Sequence, residues 1–231
     1  MTGAPDLLAR GTISVKGRMP SSTNKTFLVE VSLGDATDLA VYKPERGERP
    51  LWDFPPGLYR REIAAYLLSE ALGWGLVPLT VPREGPYGEG SLQLFVHADF
   101  EQHYFTLLET QAHRERLQRI CLFDLIANNA DRKSGHCLLG PDGAIYAIDN
   151  GLTFHADPKL RTVIWDFASE PIPPGMQGGL RRLLEAGLPT SLAELLAPAE
   201  QQALEGRTRA LLDHGRFPAD RSGLRYPWPL V

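Results

Sequence analysis

The sequence predicts an α+β protein in two parts, strand-rich with one helix up to about residue 97 and helix-rich with one small hairpin beyond it. Three observations carry that expectation. Apolar residues before Val96 mostly alternate with polar ones in short runs, as in Thr12-Ile13-Ser14-Val15-Lys16. Leu58 to Leu72 is the exception, with a broad helical stripe through Ile63, Ala64, Leu67, Leu68 and Leu72. After Asp99 the apolar runs lengthen to helical dimensions, so the boundary falls at Val96-His97-Ala98-Asp99 and divides 1–97 from 98–231.

The elements follow in order. Gly11 to Arg18 alternates as a half-buried strand does, and the polar loop Pro20 to Asn24 separates it from a second strand, Thr26 to Leu33. Gly34-Asp35 is a turn, and Asp38 to Lys43 is a third strand stopped by Pro44. Glu45 to Gly57, rich in Pro, Gly and charge, is expected as an exposed loop before the helix, and Gly73 ends that helix. Two short strands are expected around Leu76–Val81 and Ser91–Val96, with the turn Arg83 to Gly90 between them. A long helix is expected from about Leu107 to Asn128, then a loop and the hairpin strands near Cys137 and Ala144–Ile148. Further helices are expected near Gly179–Ala186, Ser191–Leu196 and Glu200–Leu212, and an extended tail from Phe217.

Size and composition narrow the function classes. At 231 residues the chain suits one large domain or two lobes sharing a cleft. A net charge of −4 gives no case for nucleic acid or an anionic membrane as partner. The first ten residues lack an apolar signal core and no run approaches the length of a membrane span, so the expectation is a cytoplasmic protein without membrane insertion. Cys121 and Cys137 are too few and wrongly spaced for a structural zinc site, and are expected as reduced, partly buried thiols. Only five of the 24 Lys and Arg residues are lysines, which draws notice to a lysine inside an apolar strand and suggests a GC-rich bacterial genome.

Two carboxylates carry the strongest chemical signal. Asp131 follows an apolar helix in the loop Asn128-Asn129-Ala130-Asp131-Arg132, and Asp149 follows the short strand Ala144 to Ile148. The hairpin between them can bring both to one side of a cleft. Phosphoryl transfer needs that pairing, one carboxylate for the acceptor hydroxyl and one for a metal on the nucleotide phosphates. Taken alone, Asp149-Asn150-Gly151 is a turn, Lys43 a strand-end lysine and Glu62 a solvated charge in the first helical turns. Taken together, a strand lysine paired with a helix glutamate supplies the missing parts. The glycine-free loop Ser21-Ser22-Thr23-Asn24 is a weaker candidate for capping phosphates.

In these residues the chain resembles the atypical kinases related to phosphatidylinositol 3- and 4-kinases, chiefly the type II phosphatidylinositol 4-kinases and, more distantly, HipA-type bacterial kinases. The matching segments are Val41-Tyr42-Lys43-Pro44, Glu62-Ile63-Ala64-Ala65-Tyr66, Asn129-Ala130-Asp131-Arg132 and Ile148-Asp149-Asn150-Gly151. The likeness runs from about Gly11 to Phe154 and is closest to an actinobacterial group of short proteins. It implies a two-lobe protein-kinase-like fold, with a strand-rich N-lobe over 1–97 and a helical C-lobe over 98–231. It implies ATP and Mg²⁺ or Mn²⁺ in the cleft. Lys43 would touch the phosphates with Glu62 holding it, and Asp131 would be the catalytic aspartate with Arg132 beside it. Asp149 would bind metal, Ser21 to Asn24 would cover the phosphates, and Gln93, Phe95 and Val96 would lie at the adenine hinge. One departure is His136, five residues after Asp131, where the family usually has a metal-binding Asn; an imidazole suits softer metals than magnesium. The expected activity is transfer of the γ-phosphoryl group to a hydroxyl of a protein or small-molecule acceptor. The alternatives are a nucleotide-binding pseudokinase with a regulatory role and an adenylyl transferase on the same fold.

Overall fold

A computed structural model describes residues 3–20 and 22–230. The strand-rich half begins with a helix, α1 (Ala4–Arg10), followed by β1 (Thr12–Arg18), β2 (Phe27–Leu33) and β3 (Ala36–Pro44). Next come α2 (Leu58–Ala71), β4 (Thr80–Gly85) and β5 (Gly88–Leu94). The five strands form one antiparallel sheet in the order β1-β2-β3-β5-β4, so β3 and β5 lie inside and Lys43 sits opposite Ser91.

The second half holds α3 (Tyr104–Leu108), α4 (Arg114–Ala127), the hairpin β6 (Cys137–Leu139) and β7 (Ile145–Ala147), then α5 (Pro174–Ala186), α6 (Thr190–Ala193) and α7 (Pro198–His214). The fold is therefore the expected mixture, a sheet-bearing lobe and a helical one. Among the described residues no helix is long and apolar enough to cross a membrane. Both cysteines are free and buried.

Several elements differ from the sequence reading, each for a local reason. The unexpected α1 has a proline in its first turn and buries Leu7 and Leu8 on the sheet, while the Arg83 guanidinium donates to the carbonyls of Ala9 and Gly11 at its end. The fourth strand starts at Thr80 because Leu76 and Val77 are held as buried loop: their N–H groups donate to Ser69 Oγ at 2.7 and 3.3 Å. The expected single helix from Leu107 to Asn128 is broken where Thr110 adopts extended backbone, and only α4 is regular. The Glu45–Gly57 loop is not simply exposed, since Gly47, Phe54 and Gly57 are buried. The tail lacks regular structure, as expected, and is tied down where Thr162 N–H donates to Arg225 O and Ser134 N–H to Leu230 O.

Burial divides the molecule unequally. One apolar cluster joins the sheet to α1 through Leu8, Val29, Val31, Ala40, Tyr42 and Leu92. The larger cluster contains Ala64 and Leu68 of α2 and Leu72 just after it, together with Ile120, Phe123 and Ile126 of α4 and Leu180 of α5. So α2, which lies between strands in sequence and packs on β4 and β5, also contributes to the core of the helical lobe. Removing methylenes there costs transfer energy and leaves a cavity, so Leu68→Ala is expected to lower stability by about 2–5 kcal/mol. Urea unfolding would show this as a lower midpoint at unchanged slope. A loss within about 0.5 kcal/mol, the range of a surface change, would contradict the placement of α2 in that core.

Candidate active site

Lys43 lies near the end of β3, where strand alternation buries Tyr42 on one face and turns Lys43 to the other. Its ammonium donates to Glu62 Oε1 on α2 and, at 2.9 Å, to Asp149 Oδ1. Burial works to lower the lysine pKa, but the Asp149 and Glu62 carboxylates outweigh it and hold the ammonium above its ordinary range. Glu62 is 2% exposed and accepts the Asn150 N–H on its second oxygen at 3.0 Å. A Cβ at Gly151 would stand 3.3 Å from Glu62 Oε1, a tight contact that would press on this carboxylate. The N-terminus of α2 is capped by Glu48, whose carboxylate accepts the N–H groups of Gly57 at 2.9 Å and Tyr59 at 2.7 Å.

Asp131 is placed by the end of α4. Asn128 closes that helix in the left-handed region, φ 55°, and Asn129 Oδ1 accepts the Asp131 N–H at 2.9 Å. The Asp131 carboxylate stands 3.1 Å from Lys133 Nζ. Burial raises its pKa against the lowering pull of Lys133. Arg132, expected among the catalytic residues, does not face the cleft: it is 0% exposed. Its guanidinium donates to both oxygens of Asp124 at 2.9–3.1 Å, to Ile148 O at 2.6 Å and to Asn150 Oδ1 at 2.7 Å. It therefore ties the Asp131 loop to the Asp149 segment and touches no reacting group.

Asp149 adopts a left-handed backbone, φ 57°, which aims its carboxylate back across the cleft. The Lys43 charge holds that carboxylate well below the usual range. His136 Nε2 lies 3.4 Å from Asp149 Oδ2, while His136 Nδ1 accepts the Lys133 N–H at 3.3 Å. Burial lowers the His136 pKa to about 4, so the ring is neutral near pH 7. With Nδ1 accepting, its proton is assigned to Nε2, facing Asp149. Among the described residues no three His, Cys, Asp or Glu groups converge as a complete metal cage. Asp149 fits a divalent ion that arrives with phosphate and water ligands of its own, and His136 would join it only with its proton moved from Nε2 to Nδ1.

These groups line one cleft of about 390 Å³, which also includes Ser22, Thr23, Asn24, Lys25 and Arg49. The structure thus brings Lys43, Glu62, Asp131, His136 and Asp149 together with the hairpin tip between β1 and β2. Ser21 lies outside the described residues. Side chains in that tip are engaged locally: Ser22 Oγ pairs with Thr26 Oγ1 at 2.8 Å, and Asn24 Oδ1 accepts the Arg49 N–H at 2.9 Å. Thr23 and Asn24 line the cleft beside Lys43. Gln93, Phe95 and Val96 do not line this cleft. The Gln93 side chain is buried and donates to Thr80 Oγ1 at 2.8 Å, so any role at a hinge belongs to backbone.

Asp124 is the residue that sequence reasoning missed. An aspartate inside Leu122-Phe123-Asp124-Leu125-Ile126 was its available signal, since a charge amid a buried helical run needs a partner. Asp124→Ala leaves the buried Arg132 unpaired and is expected to cost about 3–5 kcal/mol, read by chemical denaturation; a neutral result would contradict the pairing. A second expectation follows from His136. Its folded pKa, about 4, lies below the ordinary 6.5, so the unfolded chain takes up the proton first as pH falls. This contribution to stability is intact above pH 6.5 and is lost between there and about pH 4. His136→Asn should flatten the stability profile across that window, and an unchanged profile would contradict the burial assigned to the ring.

No protein-family model matches the chain. Several solved structures share its fold. The Golgi casein kinase with Mn/ADP bound aligns with TM-score 0.59 at 16% identity, covering 97% of this chain and 78% of that one. Hydra Fam20 with sugar aligns with TM-score 0.58 at 15% identity over 90% and 86% of the two chains. The Helicobacter pylori proinflammatory kinase CtkA gives TM-score 0.51 at 10% identity over 91% and 94%. Identities this low establish the kinase-like fold and nothing finer. In sequence, the chain is 41% identical to protein Rv2133c of Mycobacterium tuberculosis across 96% of its own length and 94% of that protein's. The chain belongs to the family of that mycobacterial protein and carries an atypical kinase-like fold.

Proposed function

We propose that the protein is an ATP- and divalent-metal-dependent phosphotransferase that passes the γ-phosphoryl group to a hydroxyl acceptor. The observation that carries this reading is the placement of Lys43 between Glu62 and Asp149, with Asp131 across the same cleft. The nucleotide would sit between an N-lobe, residues 1–97, and a C-lobe, residues 98–231, with adenine against the backbone of Gln93 to Val96. Its phosphates would meet Thr23, Asn24 and the Lys43 ammonium. A Mg²⁺ or Mn²⁺ ion, held by Asp149 with His136 beside it, would offset phosphate charge. The likeness to a casein kinase solved with Mn/ADP supports this pairing of nucleotide and metal.

Asp131 would accept a hydrogen bond from the acceptor hydroxyl and orient its oxygen toward the γ-phosphorus. The new O–P bond forms as the bond from the γ-phosphorus to the bridging β,γ-oxygen breaks, and ADP leaves with that electron pair. The raised pKa of Asp131 suits a group that takes up the hydroxyl proton late in transfer. Lys43 changes partners on nucleotide arrival, keeping Glu62 and yielding part of its contact with Asp149 to phosphate oxygens. The closer kinship with phosphatidylinositol 3-/4-kinase-like enzymes rests on the four motif segments, and we extend it to fold and mechanism only. A protein side chain or soluble metabolite is the proposed acceptor class.

Thermal-shift titration with ATP and Mn²⁺, paired with a γ-phosphate turnover assay, tests the roles separately. Lys43→Ala and Asp149→Ala should each lose most of the nucleotide-dependent shift. Asp131→Asn should keep the shift and lose turnover by about 10²–10⁴-fold. Wild-type shift and turnover in all three variants would reject the assignment.

A further inference from the structure

The cleft accounts for Glu62 but not for its neighbour Arg61. Arg61 points away from Lys43 into the interior, where it is 5% exposed. Its Nη1 donates to Thr153 O in the segment that carries Asp149, and its Nη2 donates to Glu200 Oε1 on α7 at 2.6 Å. The guanidinium carbon lies 5.4 Å from the centre of the Phe54 ring. Glu200 is itself fixed, since its second oxygen accepts the Ala197 N–H at 3.0 Å and caps α7. A buried ion pair of this kind is weak evidence for stability, because desolvation offsets most of the attraction. Its directional contacts are better suited to setting a position.

We infer that Arg61 and Glu200 are a positioning pair that locks α2 to the helical lobe and holds Glu62 in register for Lys43 and Asn150. Two independent observations converge on this. Ala64, Ala65 and Leu68 of α2 share the apolar core of the helical lobe, while the same helix also packs on β4 and β5. And Arg61 grips, from the same helix, both α7 and the backbone four residues beyond Asp149. The Lys43–Glu62 contact is therefore set by the position of α2 before nucleotide arrives.

The inference rests on the phosphotransferase reading for its kinetic arm and on geometry alone for its exchange arm. Hydrogen–deuterium exchange would be followed in the full-length protein for α2 and for residues 149–154, with steady-state kinetics in ATP and Mn²⁺. Glu200→Gln and Arg61→Lys should each speed exchange in both segments. Each should lower kcat by about tenfold or more, as a small misplacement of reacting groups does, with the ATP KM changed much less. If Glu200→Gln does not fold, the double change Arg61→Met with Glu200→Leu replaces the pair by apolar groups and is read in the same way. Wild-type exchange in α2 in the variants that fold would overturn the lock. Failure of the wild type to turn over ATP would sink the phosphotransferase reading while leaving the exchange result decisive for the lock.

Discussion

Arg132 is a fully buried guanidinium, and the site depends on how its charge is satisfied. Asp124 neutralises it from α4, and its remaining donors reach Ile148 O and Asn150 Oδ1. Asn150 in turn donates its backbone N–H to Glu62, which holds Lys43, and Lys43 reaches Asp149. A single run of charge-assisted hydrogen bonds thus passes from the interior of the helical lobe to the sheet. Such bonds are stronger and more directional than neutral ones, and losing one partner strands a buried charge. That cost is what fixes the separation between the Asp131 loop and the Asp149 segment.

Backbone pairing reinforces the same geometry. Ala130 N–H donates to Leu152 O and Phe154 N–H donates to Ala127 O, so the two loops are held side by side over their length. Three residues pay in backbone freedom for this arrangement: Asn128, Asp149 and Phe154 all occupy the left-handed region, where only a few side chains are tolerated without a supporting network. On the other side, α2 is fixed by apolar packing below and by Glu48 at its start. The β1–β2 hairpin tip is tied to the loop after β3 by Lys25 N–H to Gly47 O and Arg49 N–H to Asn24 Oδ1.

Much of this was legible in the sequence, because the cleft residues break local patterns. Lys43 interrupts an apolar strand, Asp131 and Asp149 end apolar runs, and Glu62 sits on a stripe of small and aliphatic residues. The paired strands β1 to β3 were legible for the same reason, since their alternation is clean. What stayed hidden depends on contacts distant in sequence. Asp124 looks like any helical aspartate until Arg132 folds against it, and Arg61 gives no hint of Glu200, 139 positions away. Arg132 is expected in catalysis from the resemblance of Asn129-Ala130-Asp131-Arg132 to a catalytic loop, whereas in the structure its side chain points inward. The break in the helix before α4 was invisible because Thr110 to His113 carries no proline or glycine.

The central claim is that this preassembled cleft moves the γ-phosphoryl group of ATP. Parallel incubations with γ-labelled and α-labelled ATP and Mn²⁺, with both protein and small-molecule fractions followed, test it most directly. The account predicts that the γ-label leaves the nucleotide for an acceptor hydroxyl while the α-label is recovered in ADP. Appearance of the α-label on protein, or no loss of γ-label with any divalent metal, would contradict it.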